Sequence, residues 1–196
     1  DFNNEKNLAA VCPRTLLKQL RQQAGKAGYI PYFSQEFEWF NFIDNREELY
    51  KNGFRNPQPM TPGMFGYSVL RASQEGNYFH DLFDSLKKMN VPLEGIHTET
   101  GPGVYEAAML YSEILEAADR AVIFKSSVKE IAHRHGIIAS FMAKWNESLP
   151  GCSGHVHQSL WSANGKENLF FDNKNKTGIS ALMESYIAGQ LHCMPH

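Results

Sequence analysis

The stretch QEFEWFNF, residues 35–42, alternates acidic and aromatic side chains. In a β-strand successive side chains point to opposite faces, so Glu36 and Glu38 would lie on one face and Phe37 and Trp39 on the other. Glutamate is disfavoured in strands, and two carboxylates about 4 Å apart repel by about 4 kcal/mol at an effective dielectric constant near 20. The pattern therefore predicts a strand with an acidic face, and something cationic that offsets the repulsion.

A second acidic segment, EGIHTETGPGVYEAAML at residues 94–110, reads as two strands joined by a Gly-Pro-Gly turn. Such a turn would bring Glu99 and Glu106 close together on neighbouring strands. Strict alternation places His97 on the face of Glu99 but leaves Glu94 on the other face, unless a bulge at the glycine that follows it redirects the side chain.

The segment HVHQSLW, residues 155–161, carries two imidazoles on one face of a further predicted strand, His155 and His157. With His155 added, the chain supplies four carboxylates and an imidazole from separate strands. Hard oxygen ligands with one borderline nitrogen suit Mg²⁺ or Mn²⁺ better than Zn²⁺, which prefers sets of cysteine and histidine. The pattern therefore predicts a magnesium or manganese site.

Each of these features also has a simpler interpretation. The glutamates of the first strand could lie on an exposed sheet face, those around the turn could be ordinary surface charges, and an H-x-H pair is often structural. His133 and His135 lie at the end of a predicted helix and are more simply cations that favour its C-terminus. The order of the segments along the chain is more specific than any one of them.

The mixture of helical and strand patterns, without regular βαβ alternation, favours an α+β fold with a largely antiparallel sheet packed with helices. The clearest helical pattern is SEILEAADRAVIFKSSVKEIAHRHG, residues 112–136, and it holds a period of 3.6 residues. Further helices are predicted at 13–28, 77–90 and from about 179, strands at 29–43, 137–143 and 155–161, and a long loop at 44–76. Their expected buried faces comprise Leu17, Leu20 and Ala24 in the first helix and Phe79, Leu82, Phe83 and Leu86 in the second.

Composition excludes several classes of protein. A chain of 196 residues suits one domain, and a net charge of -2 without a lysine or arginine cluster argues against a nucleic-acid partner. No apolar run approaches the roughly 18 residues that span a bilayer, which argues against a membrane partner. The three cysteines are an odd number and lie far apart, which favours a reducing, cytoplasmic location over a disulfide framework.

The segments QEFEWF, EGIHTETGPGVYE, ADRAVIFKSSVKEIAHRHGIIASFMAKW and PGCSGHVHQSL occur in an order that resembles the catalytic domain of type I glutamine synthetases and their γ-glutamyl ligase relatives. The resemblance covers roughly residues 13–196. Within the superfamily the chain looks similar to the branches that include γ-glutamylpolyamine synthetases and the non-catalytic lens proteins called lengsins. The resemblance implies that residues 1–196 are a partial catalytic domain, without the N-terminal β-grasp domain and the C-terminal part.

The resemblance also implies a role for each acidic position. Glu38, Glu99 and Glu106 match the three carboxylates that hold a first divalent ion. Glu36 and His155 match ligands of a second ion, whose usual third carboxylate would lie further along the chain.

Other positions match the nucleotide and substrate sites of the family. Glu94 and His157 match residues that touch nucleotide and phosphate, and Ser159 matches a residue near the adenosine. His97 matches a residue close to the transferred phosphoryl group. Gly151 matches the loop glycine that meets the amino-acid substrate.

The implied activity is an ATP-dependent ligation in nitrogen metabolism, with two Mg²⁺ or Mn²⁺ ions per site. ATP would convert the γ-carboxylate of glutamate to a γ-glutamyl phosphate, which ammonia or an amine then displaces. Positioning and charge neutralisation are the main requirements of phosphoryl transfer, and divalent ions supply the neutralisation. The implied assembly is a homo-oligomer of two stacked rings, resembling a dodecamer.

Three departures from the family pattern stand out. Where the enzymes have N/P-G-S-G-x-H, this chain has P-G-C-S-G-H, so Cys152 and Ser153 alter the substrate loop and Pro150 replaces the asparagine of true glutamine synthetases. The N-terminal domain and the downstream arginines expected for the family are missing, so this piece alone should not catalyse. The alternative hypothesis is a catalytically inactive, lengsin-like structural or interaction protein.

Overall fold

The computed structural model describes residues 11–195 and the short strand pair at residues 3–4 and 7–8. The strands are β1 (Asn3–Asn4), β2 (Asn7–Leu8), β3 (Tyr29–Phe42), β4 (Leu93–Thr98), β5 (Val104–Met109), β6 (Ser112–Glu113), β7 (Ile138–Ser140) and β8 (Gly154–Ser162). The helices are α1 (Pro13–Lys26), α2 (Arg46–Lys51), α3 (Val69–Gln74), α4 (Gly76–Lys88), α5 (Ile114–Arg134) and α6 (Ala181–Cys193). The strand pairs of known register are all antiparallel, which confirms the predicted α+β class.

The chain divides into two compact units. The first comprises residues 1–33, 112–117 and 157–196, and the second comprises residues 34–111 and 118–156. The long strand β3 therefore contributes its first five residues to the first unit and the remainder to the second.

The sheet of the second unit has β5 between β4 and the greater part of β3. Glu38 lies opposite Glu106 in the β3–β5 pair, and His97 lies opposite Glu106 in the β4–β5 pair. The register shifts between Leu93 and Gly95, at the glycine where the sequence left open whether a bulge redirects Glu94. β7 extends the sheet by pairing with the end of β3, and β8 also pairs with β3.

One face of this sheet forms the main hydrophobic core. Trp39 and Phe37 pack on Phe124 of α5, with ring centroids 5.7 and 5.6 Å apart, and Tyr105 packs on Phe79 of α4 at 4.5 Å. The helices supply the opposing layer because their apolar residues recur with the period of a helix turn. The core-facing residues of α4 and α5 include Tyr78, Phe79, Leu82, Leu86, Phe124, Val128 and Ile131.

The buried face of α4 differs by one residue from the prediction. Phe83 is 37% exposed, whereas Tyr78 is buried. The Tyr78 hydroxyl donates to the Asn41 side-chain oxygen at 3.2 Å, so the Tyr78 side of the helix is both packed against and hydrogen-bonded to the sheet. Phe83 is left at the edge of the interface.

A buried asparagine fixes the turn between β4 and β5. Asn41 accepts hydrogen bonds from Trp39 Nε1 and Tyr78, and its amide nitrogen donates to the Gly103 carbonyl at 3.2 Å. Gly103 has φ +72°, and a Cβ there would lie 2.6 Å from the Asn41 carbonyl oxygen. Only glycine fits this turn without strain, and the turn sets where the facing ends of β4 and β5 lie.

The opposite face of the sheet carries a smaller apolar cluster at one end. Phe40, Phe42 and Val104 are buried there, with Trp145 and Cys152 packed against them. The side chains of β3 therefore alternate between the two faces as predicted. Phe37 and Trp39 lie on the main core face, and Phe40 and Phe42 lie on the acidic face.

Two further predictions in the second unit were wrong in part. The predicted loop at 44–76 contains the short helices α2 and α3, which begin at the side-chain caps Asn45 and Ser68. The predicted buried strand at 137–143 is shorter, because β7 covers only three residues and these are half-buried.

The first unit is less buried. In α1 the expected inward face is weak, since Leu20 is 47% exposed and Leu17 is half-buried. β6 pairs with the start of β3, and the ring of Tyr32 packs on Trp161 with centroids 5.5 Å apart. None of the helices in the described part of the chain combines the length and apolar composition that crossing a bilayer requires.

Candidate metal centre

The acidic residues meet because the register of three strands places them on one face. Glu38, Glu106 and His97 form a row across β3, β5 and β4. Glu36 lies two residues along β3 and Glu99 two residues beyond His97, so both share that face. Burial of the other face fixes this register, since a slip of one residue would expose the core.

The first group of converging side chains contains Glu36, Glu106 and His155. Each offers one ligand atom, and these atoms lie within 4.8 Å of one another. His155 Nδ1 is 3.4 Å from a carboxylate oxygen of Glu36. Glu36 and His155, expected to share an ion, are therefore brought together.

The second group contains His97, Glu99 and Glu106, again with ligand atoms within 4.8 Å of one another. His97 Nδ1 is 3.7 Å from Glu99, and His97 Nε2 is 3.8 Å from Glu106. Glu106 thus belongs to both groups. His97, which was predicted near the transferred phosphoryl group, here lies among the candidate metal ligands.

Negative charge is crowded around Glu106. Glu106 is 6% exposed. Burial raises the pKa of Glu106 to about 8, and a hydrogen bond with Glu36 and the charges of Glu36, Glu38 and Glu99 contribute in the same direction. A divalent cation would offset this crowding, and a set of carboxylate oxygens with one imidazole per group fits Mg²⁺ or Mn²⁺.

Glu38 belongs to neither group of ligand atoms in the described residues, although it lies directly opposite Glu106. Its two carboxylate oxygens accept hydrogen bonds from Ser153, one from the backbone N–H and one from the hydroxyl, each 3.0 Å long. The backbone pairing therefore brings Glu38 to the acidic face, and the loop before β8 determines where its carboxylate points. Its predicted role as a first-ion ligand stays a prediction.

The remaining predicted site residues lie in different surroundings. Glu94 is exposed at the bulge of β4, and Gly151 lies in the loop before β8, where a Cβ would be 2.5 Å from the Ala143 carbonyl oxygen. His157 and Ser159 belong to the part of β8 in the first unit. The Ser159 hydroxyl donates to the Tyr32 carbonyl at 3.3 Å.

Tyr67 was not predicted from the sequence. Its ring stacks on His97, with centroids 4.7 Å apart and planes 25° from parallel. A hydrogen bond with Glu99 raises the pKa of the Tyr67 hydroxyl. The backbone of Tyr67 is left-handed, with φ +56°, and its N–H donates to Thr98 at 2.7 Å. A single tyrosine in a glycine-rich loop has no periodicity, so only the preceding glycine, Gly66, could have drawn attention to it.

Cys152 has no nucleophilic character in this environment. Burial, followed by the charge of Glu38, raises the pKa of its thiol to about 12. The thiol is therefore neutral near pH 7, and its contribution is packing against the apolar cluster around Phe40.

Comparisons with known proteins identify the family of this chain. A family model described as the glutamine synthetase catalytic domain matches residues 10–196. Type-1 glutamine synthetase 2 of Dictyostelium discoideum is 46% identical over 94% of this chain and 35% of its own length. A glutamate–isopropylamine ligase of Pseudomonas is 32% identical over 92% of this chain and 39% of its own length. The chain thus spans little more than a third of each relative.

A solved structure of ligand-free GmaS shares the fold. It superposes with a TM-score of 0.80 and 24% sequence identity, over 92% of this chain and 41% of that one. The likeness supports the α+β architecture described above.

Proposed function

The chain belongs to the family of glutamine synthetase catalytic domains, and from that premise we propose that the protein joins the γ-carboxylate of glutamate to ammonia or an amine with consumption of ATP. The observation that carries the proposal is the pair of ligand groups that share Glu106 on one sheet face. Carboxylates that repel each other at a partly buried position suit a site that binds cations.

We assign the ligand positions as the family pattern indicates. Glu38, Glu99 and Glu106 would hold a first Mg²⁺ or Mn²⁺, and Glu36 and His155 would hold a second. When bound, the ions would neutralise the phosphate charge of ATP.

The other assigned residues act on substrates. His157 would donate to phosphate without adding a permanent charge, and Glu94 and Ser159 would contact the nucleotide. Tyr67 covers one face of the His97 imidazole and its hydroxyl forms a hydrogen bond with Glu99, so it would keep both side chains oriented. Gly151 would leave its backbone open to the amino-acid substrate.

The acceptor is the least defined partner. Of the two relatives above, one is named for glutamine and the other for isopropylamine. We propose an amine acceptor of this range, from ammonia to a small alkylamine or polyamine. Both names describe enzymes, so the inactive, lengsin-like alternative gains no support.

A thermal melt of the full-length protein tests this proposal. Mg²⁺-ATP should stabilise the wild type by about 2.7 kcal/mol at a hundredfold excess over Kd, because it binds the native state alone. Glu38→Ala should abolish phosphate release in the presence of glutamate and an amine. His155→Ala should instead weaken the stabilisation by Mg²⁺-ATP.

The matched control is Glu130→Ala, an exposed acidic residue of α5, which should leave both measurements unchanged. A wild type that shows neither stabilisation nor phosphate release with glutamate and a panel of amines would contradict the ligase proposal and favour a structural role.

A further inference from the structure

Ser153 binds Glu38 through three hydrogen bonds. The Glu38 N–H donates to the Ser153 carbonyl at 3.2 Å, the Ser153 N–H donates to Glu38 Oε2 at 3.0 Å, and the Ser153 hydroxyl donates to Glu38 Oε1 at 3.0 Å. The first bond belongs to strand pairing. The other two occupy both oxygens of the carboxylate with donors from one residue.

The loop that carries Ser153 is anchored on its other side. The Cys152 N–H donates to the Ala143 carbonyl at 2.8 Å, and the Cys152 side chain packs against the apolar cluster around Phe40. At Gly154 a Cβ would lie 2.9 Å from the Glu36 carbonyl oxygen, so the loop follows the β3 backbone closely. The backbone contacts of the residues on either side therefore hold Ser153 in position beside Glu38.

The carboxylate of Glu38 lies outside both groups of candidate metal ligands. Glu38 and Glu106 are directly paired across β3 and β5, yet in the described residues the Glu38 carboxylate joins neither set of converging ligand atoms. The two donors from Ser153 offset part of the repulsion between Glu38 and the other carboxylates of this face.

We propose that Ser153 is a positioning residue that caps Glu38 and competes with a divalent ion for this carboxylate. This inference rests on the proposed metal centre. On this proposal an ion that binds Glu38 beside Glu106 displaces the Ser153 hydroxyl from one carboxylate oxygen. The free energy of that bond is then subtracted from the free energy of metal binding.

The cap also links the ion to the substrate loop. Ser153 is two residues from Gly151, the assigned substrate-contact position, and the loop between them is tied to the acidic face through Glu38. Binding of the ion would break the hydrogen bond between the Ser153 hydroxyl and Glu38, which is one of the bonds that hold this loop. The loop would therefore be held in one arrangement before metal binding and gain freedom when the ion is in place.

The test is a calorimetric titration of the full-length protein with Mn²⁺, without ATP, with electron paramagnetic resonance to count bound ions. Ser153→Ala removes the hydroxyl and keeps the backbone donor. Because a hydrogen bond to a charged, exposed group contributes modestly, we expect the Kd for Mn²⁺ to fall about three- to tenfold. Ser153→Thr keeps a hydroxyl and should restore the wild-type Kd.

A second readout follows the metal-free state itself. Ser153→Ala should lower the melting temperature of the metal-free protein and increase the rise produced by saturating Mn²⁺. Ser148→Ala, an exposed serine of the preceding loop, is the matched control and should change neither quantity.

The outcomes separate this inference from the proposed function. A Kd for Ser153→Ala that equals the wild-type value, or is weaker, would overturn the cap while leaving the metal centre intact. A wild type that binds no Mn²⁺ would overturn both. Tighter binding in Ser153→Ala, together with restoration in Ser153→Thr, would establish the cap.

Discussion

At the scale of the residue, Glu106 bears the greatest electrostatic cost of the site. Glu106 is almost fully buried and is a member of both ligand groups, and the pKa of its carboxyl is strongly raised. A group in such surroundings opposes folding when it is ionised and alone. The same group should contribute most to binding once a cation is present.

Glu106→Gln should therefore separate stability from binding. The neutral amide keeps the shape and removes the charge, so we expect the metal-free protein to gain about 1 kcal/mol in free energy of unfolding. Stabilisation by Mn²⁺ should be lost. Denaturant unfolding with and without Mn²⁺ measures both effects, and a destabilised metal-free variant would contradict this account of Glu106.

The position of each glutamate could be predicted from the sequence, but the direction of its carboxylate could not. Alternation along β3 and the Gly-Pro-Gly turn place Glu36, Glu38, Glu99 and Glu106 on one face, because strand geometry fixes which way a side chain leaves the backbone. The rotamer of Glu38 depends on Ser153, 115 residues away. A contact of that kind depends on tertiary structure and has no local pattern.

At the scale of the element, predictions succeeded where a pattern is long. β3 has 14 residues and α5 has 21, so each offers several periods of its alternation or helical repeat. α2 and α3 have six residues each, which is less than two helical turns, and the prolines and glycines around them favour a loop. Tertiary contacts and side-chain caps form these short helices.

The contact between α4 and the sheet buries Tyr78 and Tyr105. We therefore expect the protein to lose stability at alkaline pH. Burial raises the pKa of Tyr105 to about 12, and it raises the pKa of Tyr78 further. A tyrosine of the unfolded chain ionises near pH 10, so its contribution to stability is complete below pH 10 and is lost as pH rises through the folded-state value.

Tyr105→Phe should make this loss of stability smaller. Between pH 10 and 12 the free energy of unfolding should fall by about 2 kcal/mol less than in the wild type, because one ionisable group has been removed. Tyr50→Phe, which changes an exposed tyrosine of α2, is the control and should follow the wild type. Equal slopes for all three proteins would argue against a buried, neutral Tyr105.

At the scale of the whole molecule, the chain carries candidate ligands but spans little more than a third of its relatives. The resemblance to glutamine synthetases implies an assembly of two stacked rings, so we expect the full-length protein to form such a homo-oligomer. Size-exclusion chromatography with light scattering at micromolar concentration measures the mass. A monomer at that concentration would contradict the prediction.

The alternation of β3 has a consequence for the history of this protein. The fold requires Phe37 and Trp39 because they fill the core, whereas only the proposed metal site would require the alternating residues Glu36 and Glu38. A lineage that abandoned the reaction would keep every second residue of this strand and gain stability by discarding the others. The two faces of the strand would then diverge, with the core face kept and the acidic face lost.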